Sequence, residues 1–206
     1  MVAVRSQMMQ DYKQVRALDY WEAKAKMELL ATPRDKALLA FLFLTGCRIE
    51  ECCKYTKRVP QKDGTIKTVQ QGLPFEKRQI EVQEDFILIK DIRTLKRRKA
   101  VNRTIPIPIN DSEAAFIAPL RAYLEGLRDD EPLFPFTRQW AFTILSRVGI
   151  FPHLMRHSRN TINVRNYDLG GHHLQKFNGW SNSKSADAYL HLSVTDITDK
   201  MRKTKN

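Results

Sequence analysis

The sequence predicts an α+β fold, mainly α, in which helices surround one buried central helix beside a small antiparallel sheet. Residues 37–44 are apolar almost all round, the pattern of a helix enclosed by protein. Most of the remaining chain places apolar residues at helical spacing. Residues 79–107 instead hold short extended segments around a turn, as paired strands do. At 206 residues the chain suits a single domain, which at this size buries roughly 70% of its unfolded surface.

The elements follow in order. Residues 11–30 read as a helix with Trp21, Ala25, Met27 and Leu30 among its apolar positions. Thr32-Pro33 ends it, because the residue before a proline is pushed out of the helical region. The central helix covers 34–44, Thr45-Gly46 breaks it, and helix resumes from Arg48 to about Tyr55. Residues 57–77, with Pro, Gly, Gln and Lys, read as a basic irregular loop. Strands are expected at 79–82, 86–92 and 101–107, the last two flanking a hairpin tip, Lys96-Arg97-Arg98-Lys99. Asp111 is placed to cap a helix over 112–127, with Glu113 near its positive end. Further helices are expected over 137–148, from Pro152 to about Asn166, and from Gly170-Gly171 to near Gly179. Two more are expected over 185–192 and 194–202, before a basic tail.

Lysine and arginine number 35 against 23 acidic residues, a net charge of +12. Such a surplus favours polyanions, because each phosphate that a cation neutralises releases condensed counterions. Nucleic acid is therefore the leading partner and an anionic membrane surface the second. The first ten residues lack the apolar run of a signal peptide, and the longest apolar stretch is too short for a bilayer. The odd cysteine count and the lack of a CxxC pair among Cys47, Cys52 and Cys53 suit a reducing compartment. A soluble cytoplasmic protein, with no membrane partner, is the expectation.

Several cations stand where cations are uncommon. Arg48 directly follows the apolar helix and its break, and His153 and Arg156 lie three apart on one helix face. Guanidinium suits phosphate because its planar fork donates two parallel hydrogen bonds. The plainer reading pairs Arg48 with Glu50 or Glu51 and leaves Arg156 covering helix surface. His153 and His157 are spaced i, i+4, which invites a metal, but the glutamate of HExxH is missing and no third ligand is evident. No metal, no phosphate-cradling glycine loop and no cofactor are expected. The tip Lys96-Arg97-Arg98-Lys99 is either a solvated turn or a finger whose positive field Lys90 and Arg103 extend. Trp180 and Tyr189, nine residues apart, read as core aromatics when taken alone.

In order and spacing these residues resemble the tyrosine recombinase (phage integrase) family over about residues 35–192. Thr45-Gly46-Cys47-Arg48 is similar to the family's TG-x-R, and Glu51 matches the acidic residue three positions on. Thr94-Leu95-Lys96 followed by Arg103-Thr104-Ile105-Pro106 looks like its lysine-bearing hairpin. His153 and Arg156 meet the HxxR signature, which His157-Ser158 continues. Trp180 precedes Tyr189 by the nine residues that separate the family's histidine or tryptophan from its nucleophile. The family's commoner Leu-Gly-His stands here as Asn178-Gly179-Trp180. A slightly longer tip makes Lys99 a rival to Lys96. The tip and the Gly-Trp variant also resemble integrases of archaeal mobile elements.

The resemblance implies a DNA strand-transfer enzyme that needs neither metal nor ATP. Tyr189 would attack the scissile phosphate to form a 3′-phosphotyrosine, and Arg48 and Arg156 would clamp the non-bridging oxygens. Lys96 would protonate the departing 5′-oxygen, His153 would assist proton transfer or bind phosphate, and Trp180 would contact and support the phosphate. Glu51 would orient the arginine helix, while Arg97, Arg98, Lys99, Arg103 and His157 would contact DNA. The implied partner is double-stranded DNA, with self-association to a tetramer on it and a monomer in isolation. The expected organisation is one catalytic domain over 1–206, with a core of about 10–192 and a tail of 193–206. The family's N-terminal clamp domain finds no room before Asp11, so a catalytic fragment or a minimal form is expected. Two alternatives stay open: relaxation of DNA in the manner of a type IB topoisomerase, and a DNA-binding protein on the same fold without catalysis.

Overall fold

The computed structural model describes residues 17–72, 75–94 and 102–190. In chain order these form α1 (Tyr20–Glu28), α2 (Pro33–Thr45), α3 (Ile49–Cys52), β1 (Tyr55–Pro60), β2 (Ile66–Gly72), β3 (Ile80–Val82), β4 (Phe86–Arg93) and β5 (Asn102–Pro108). The helices α4 (Ala114–Glu125), α5 (Arg138–Ser146), α6 (Pro152–Tyr167) and α7 (Gly171–Asn178) follow, then a 3₁₀ turn, Ser183–Ala186. The fold is mainly helical with small antiparallel sheets, as expected.

α2 is the axis of the core. Thr32 caps it by accepting from the Asp35 amide, Pro33 presets its first turn, and every residue from Ala37 to Thr45 is buried. It packs against α1, α4, α5, α6 and β5. Phe43 stacks on Phe116 of α4, and Phe41 meets Phe75 and Phe134, so aromatic contacts close its flanks.

The strands β3, β4 and β5 form one sheet in that order, all antiparallel. Its inner face is Ile87, Ile89, Ile92, Ile105 and Ile107. The β4–β5 register shifts between Ile89 and Ile92, where Asp91 has φ +56°. This bulge changes the parity of β4, so that Ile92 is buried and stands opposite Arg103.

Several expectations are corrected. The predicted loop over 57–77 contains a two-stranded antiparallel ribbon, β1–β2, separate from the larger sheet. The helix expected from Arg48 to Tyr55 is the single turn α3. α4 starts after Glu113, whose amide is bonded by the Asn110 side chain, so Asp111 does not cap it. The helix expected over 185–192 is, up to Leu190, the end of the 3₁₀ segment and a turn. The hairpin tip with Lys96, Arg97, Arg98 and Lys99, the N-terminal part of the first predicted helix and the helix expected over 194–202 lie outside the described residues.

Candidate active site

The site begins where α2 stops. The Thr45 hydroxyl donates to the Phe41 carbonyl and accepts from the Cys47 amide, which ties the exit of the helix. Gly46 takes φ +58°, a left-handed conformation that favours glycine, and a Cβ there would meet Arg159 Cβ at 3.2 Å. The reversal puts Arg48 at the N-cap of α3 and drops Glu51, one turn later, into the interior.

Glu51 is the hub of the site. Its carboxylate accepts from the Arg48 amide at 3.0 Å, from Arg48 Nη1 at 3.2 Å and from Arg103 Nη2 at 2.9 Å. Burial pushes this carboxyl upward, but the charge and hydrogen bond of Arg103, then Arg156 and the Arg48 amide, hold it below its ordinary value. Arg48 thus does pair with Glu51, as the plainer reading had it, while still bordering a cavity. Arg103 departs from its expected place in the exposed positive field. It is 8% exposed, faces inward with Ile105 and Ile107, and also approaches Cys47 Sγ at 3.8 Å.

Arg156 is buried as well, which overturns the reading of it as surface cover. Its Nη1 donates to the Gly46 carbonyl at 3.0 Å and its Nη2 to the Asn178 carbonyl at 3.1 Å. These carbonyls close α2 and α7, so the guanidinium rests between the negative ends of two helices. Burial, then repulsion from Arg48 and Arg103, lowers it to about 10. It therefore remains charged at neutral pH. Two further contacts shape the pocket around these arginines. The guanidinium lies over the Trp180 ring at 5.7 Å, and at Gly179 (φ +65°) a Cβ would meet Arg103 Nη1 at 3.2 Å.

Beyond Trp180 the chain folds back. Asn182 caps the 3₁₀ turn by accepting from the Lys184 amide, and the following turn returns Tyr189 to Trp180. The two rings stack with centroids 6.1 Å apart and an interplanar angle of 11°. The Tyr189 hydroxyl lies 2.5 Å from His157 Nδ1. With the imidazole proton on Nε2, the phenol donates to Nδ1. Burial, then His153 and Arg156, lowers His157 from its ordinary value, so the ring is neutral at pH 7. Burial raises Tyr189, while Asn160 and Arg156 favour its ionised form. The proton thus rests on the phenol, one hydrogen bond from a neutral acceptor.

The structure brings together Arg48, Glu51, Arg103, His153, Arg156, His157, Trp180 and Tyr189. Arg48, His153 and Arg156 line a cavity of about 500 Å³, whose wall also includes Arg138, Gln139, Phe142 and Phe151. Sequence reasoning missed two participants and one supporting ion pair. Asn178 supplies the carbonyl under Arg156 and binds Asn160 Oδ1 at 2.7 Å. Glu113, at the head of α4, forms an ion pair with Arg159 at 2.5 Å and also accepts from the Tyr167 hydroxyl. The third is the link from His157 to Tyr189, which no local pattern announces. Among the described residues no group of three or more His, Cys, Asp or Glu could hold a metal, and no helix is long and apolar enough to cross a membrane.

No protein-family model matches the chain. Among curated proteins it is similar to the tyrosine recombinase XerA of Saccharolobus solfataricus, 22% identical over 197 residues. That alignment covers 93% of this chain and 57% of the relative, so the chain spans little more than half the relative's length. A crystal structure of XerA recombinase matches with a TM-score of 0.58 and 18% identity, over 96% of this chain and 66% of that one. XerH site-specific recombinase, bound to its difH substrate before cleavage, gives 0.59 and 12%, over 92% and 54%. The Tn1549 transposon integrase in complex with a circular intermediate DNA gives 0.56 and 13%, over 97% and 69%. The chain has the fold of a tyrosine recombinase catalytic domain and a distant relationship to these proteins.

Proposed function

We propose that this chain is the catalytic domain of a site-specific DNA recombinase that cleaves and rejoins strands through a 3′-phosphotyrosyl link at Tyr189. One observation carries the reading. Residues far apart in sequence converge so that Tyr189 stacks on Trp180, Trp180 lies under Arg156, and Arg156 shares a cavity with Arg48 and His153. The proposed partner is double-stranded DNA, with assembly of several copies on it.

In this mechanism a phosphodiester enters the cavity and places its non-bridging oxygens against Arg48 and Arg156. Fixed cations in a partly dry site stabilise the charge that gathers there in the transition state. Arg156 spends two donors on helix carbonyls, which hold its plane, and keeps the remaining N–H groups for phosphate. The Tyr189 oxygen attacks phosphorus and its proton passes to His157 Nδ1, so the proton acceptor is His157 rather than His153. His153, exposed on the cavity wall, contacts the phosphate. The 5′-oxygen leaves with a proton from Lys96 of the β4–β5 hairpin, with Lys99 as the rival. Arg97 and Arg98 contact the groove. Glu51 holds Arg48 in place, and Arg103 holds Glu51.

The test is a nicked suicide substrate incubated with the protein. A covalent complex should form without divalent metal and map to Tyr189, and Tyr189→Phe should bind DNA yet trap none. Trapping by Tyr189→Phe would refute the assignment. Holliday junctions formed from two duplexes would separate recombination from relaxation by the same chemistry, and binding without trapping would mark a non-catalytic protein. Lys96→Ala should be largely rescued by a 5′-thiol leaving group, which needs no general acid. Equal damage on both substrates would argue for Lys99 as the acid or for a binding role of Lys96.

A further inference from the structure

The ribbon β1–β2 is not accounted for by this chemistry. Its segment, residues 54–72, carries five cations (Lys54, Lys57, Arg58, Lys62, Lys67) and one acid, Asp63, a net of +4. Asp63 is engaged within the turn, accepting from the Thr65 amide at 2.9 Å and the Thr65 hydroxyl at 2.6 Å. Among the described residues the ribbon joins no larger sheet, and it packs on the body through α3. Apart from half-buried Val59 and Val69, its described side chains from Thr56 to Val69 are exposed, Ile66 at 64% among them. A lone two-stranded ribbon is marginal in water, and such a feature gains stability from a partner. Lysines on its open edges would also deter pairing with another strand, but that role does not explain where the ribbon is rooted.

The root is tied to the cavity on two sides. α3, whose cap is Arg48, runs directly into the ribbon, and Ile49 and Glu50 line the cavity. Across the gap, the Lys54 amide donates to the Phe136 carbonyl at 3.2 Å and the Arg138 amide to the Lys54 carbonyl at 3.0 Å. Arg138 and Gln139, which open α5, also line the cavity. The ribbon therefore leaves from the rim of the candidate phosphate site. A strand of six residues reaches about 20 Å, the length of about six base pairs at 3.4 Å each. Its register places Arg58 opposite Thr68 and Lys67 opposite Val59, so cations stand on both faces.

We propose that the β1–β2 ribbon is a second DNA contact, a cationic arm that follows the phosphate backbone of the duplex flanking the cleaved phosphate. It binds without reading sequence, since its described cations and threonines suit phosphate and sugar oxygens. The proposal rests on the function proposed above, and the experiment keeps the two apart. Affinity of the full chain for duplex DNA is measured by fluorescence anisotropy at several salt concentrations. The substrates extend either two or ten base pairs past the cleavage site on the ribbon side.

The triple variant Arg58→Gln, Lys62→Gln, Lys67→Gln should bind the longer duplex with a salt slope shallower by about 2.7, at 0.9 per lost phosphate contact. Between 50 and 200 mM salt the wild type should then lose roughly 40-fold more affinity than the variant. The wild type should prefer the longer duplex, the variant should not, and Arg58→Lys, Lys62→Arg, Lys67→Arg should behave as wild type. A matching melting temperature verifies that the variant is folded. If it melts early, the single changes Arg58→Gln and Lys67→Gln are read instead, each expected to reduce the slope by about 0.9. Wild-type slope and length preference in a folded variant would overturn the ribbon proposal and leave the active site untouched. Loss of binding to poly-glutamate but not to DNA would overturn it in favour of an acidic protein partner. A wild type that neither binds nor traps DNA would remove the underlying function and the ribbon proposal with it.

Discussion

Arg103→Ala separates two accounts of one arginine. A cation in the exposed field of the hairpin would lower DNA affinity when removed and leave the fold alone. The structure instead sets it against Glu51, with side chains 5% and 0% exposed. Removing one partner of a buried pair costs about 3–5 kcal/mol, because the remaining charge stays desolvated. Arg48 and Arg156 continue to face Glu51, which favours the lower end, about 3 kcal/mol. For a domain of this size that lowers the melting temperature by roughly 6–12 °C. Thermal unfolding monitored by circular dichroism measures it. A pH arm follows from the carboxyl. Because Glu51 is held below its ordinary value when folded, its stabilisation is present above the carboxylate range and lost as pH falls through the lowered value. Without Arg103 that value rises towards the unfolded one, so the variant should lose less stability on acidification than the wild type. Adding Glu51→Gln should recover part of the loss, a coupling that a double-mutant cycle reads. An Arg103→Ala protein that melts like the wild type, with a salt slope shallower by about one, would refute the buried-pair account.

Two further perturbations test neighbouring parts. His157 is lowered from its ordinary value and must be neutral to accept from Tyr189, so covalent trapping should fall as pH drops through a point below the usual imidazole range. His157→Gln should slow trapping and abolish that acid limb, and an unchanged limb would assign it to another group. Glu113 and Arg159 pair with side chains 2% and 1% exposed, so Glu113→Ala should cost about 3–5 kcal/mol. The urea midpoint should fall with an unchanged m value, and an unmoved midpoint would show that the pair contributes nothing.

Hydropathy made the core legible and hid part of the site. α2 could be read because eight consecutive apolar residues have nowhere to sit but inside. The three strands were found because β4 and β5 alternate against one buried face. That same alternation carries Arg103 inward two residues before Ile105, so its burial was available to a reader who let parity outweigh charge. α6 is the opposite case. Of its buried positions only Met155 is apolar, while Arg156, Ser158, Arg159, Asn160 and Asn163 are polar, so hydropathy marks the buried face too weakly to reveal it. Only the HxxR spacing marked that face. The ribbon escaped notice because none of its described side chains from Thr56 to Val69 is buried, and without burial the pattern of period two has no cause. His157 and Tyr189 meet across 32 positions through the stacking of Tyr189 on Trp180, a contact that depends on the returning turn and leaves no local signature.

Three arginines and one glutamate leave an excess of positive charge in the pocket, which suits the anion-binding role proposed above better than a purely structural cluster. Glu51 neutralises one guanidinium of Arg48, Arg103 and Arg156, leaving two positive charges in a region where Arg103 and Arg156 are almost wholly buried. Helix carbonyls offset part of this at Arg156, where burial first, and then repulsion from Arg48 and Arg103 against the attraction of Glu51, lowers the guanidinium to about 10. A purely structural cluster would be expected to balance its charges, as Glu113 and Arg159 do one for one. The excess makes the resting fold less favourable than a neutral pocket would. In the proposed reaction the imbalance would be relieved by a phosphate entering the cavity beside Arg48 and Arg156, and most fully when that phosphate gains charge on attack by Tyr189. The same surplus that opposes folding would thus favour the transition state over the substrate, which is the direction catalysis requires.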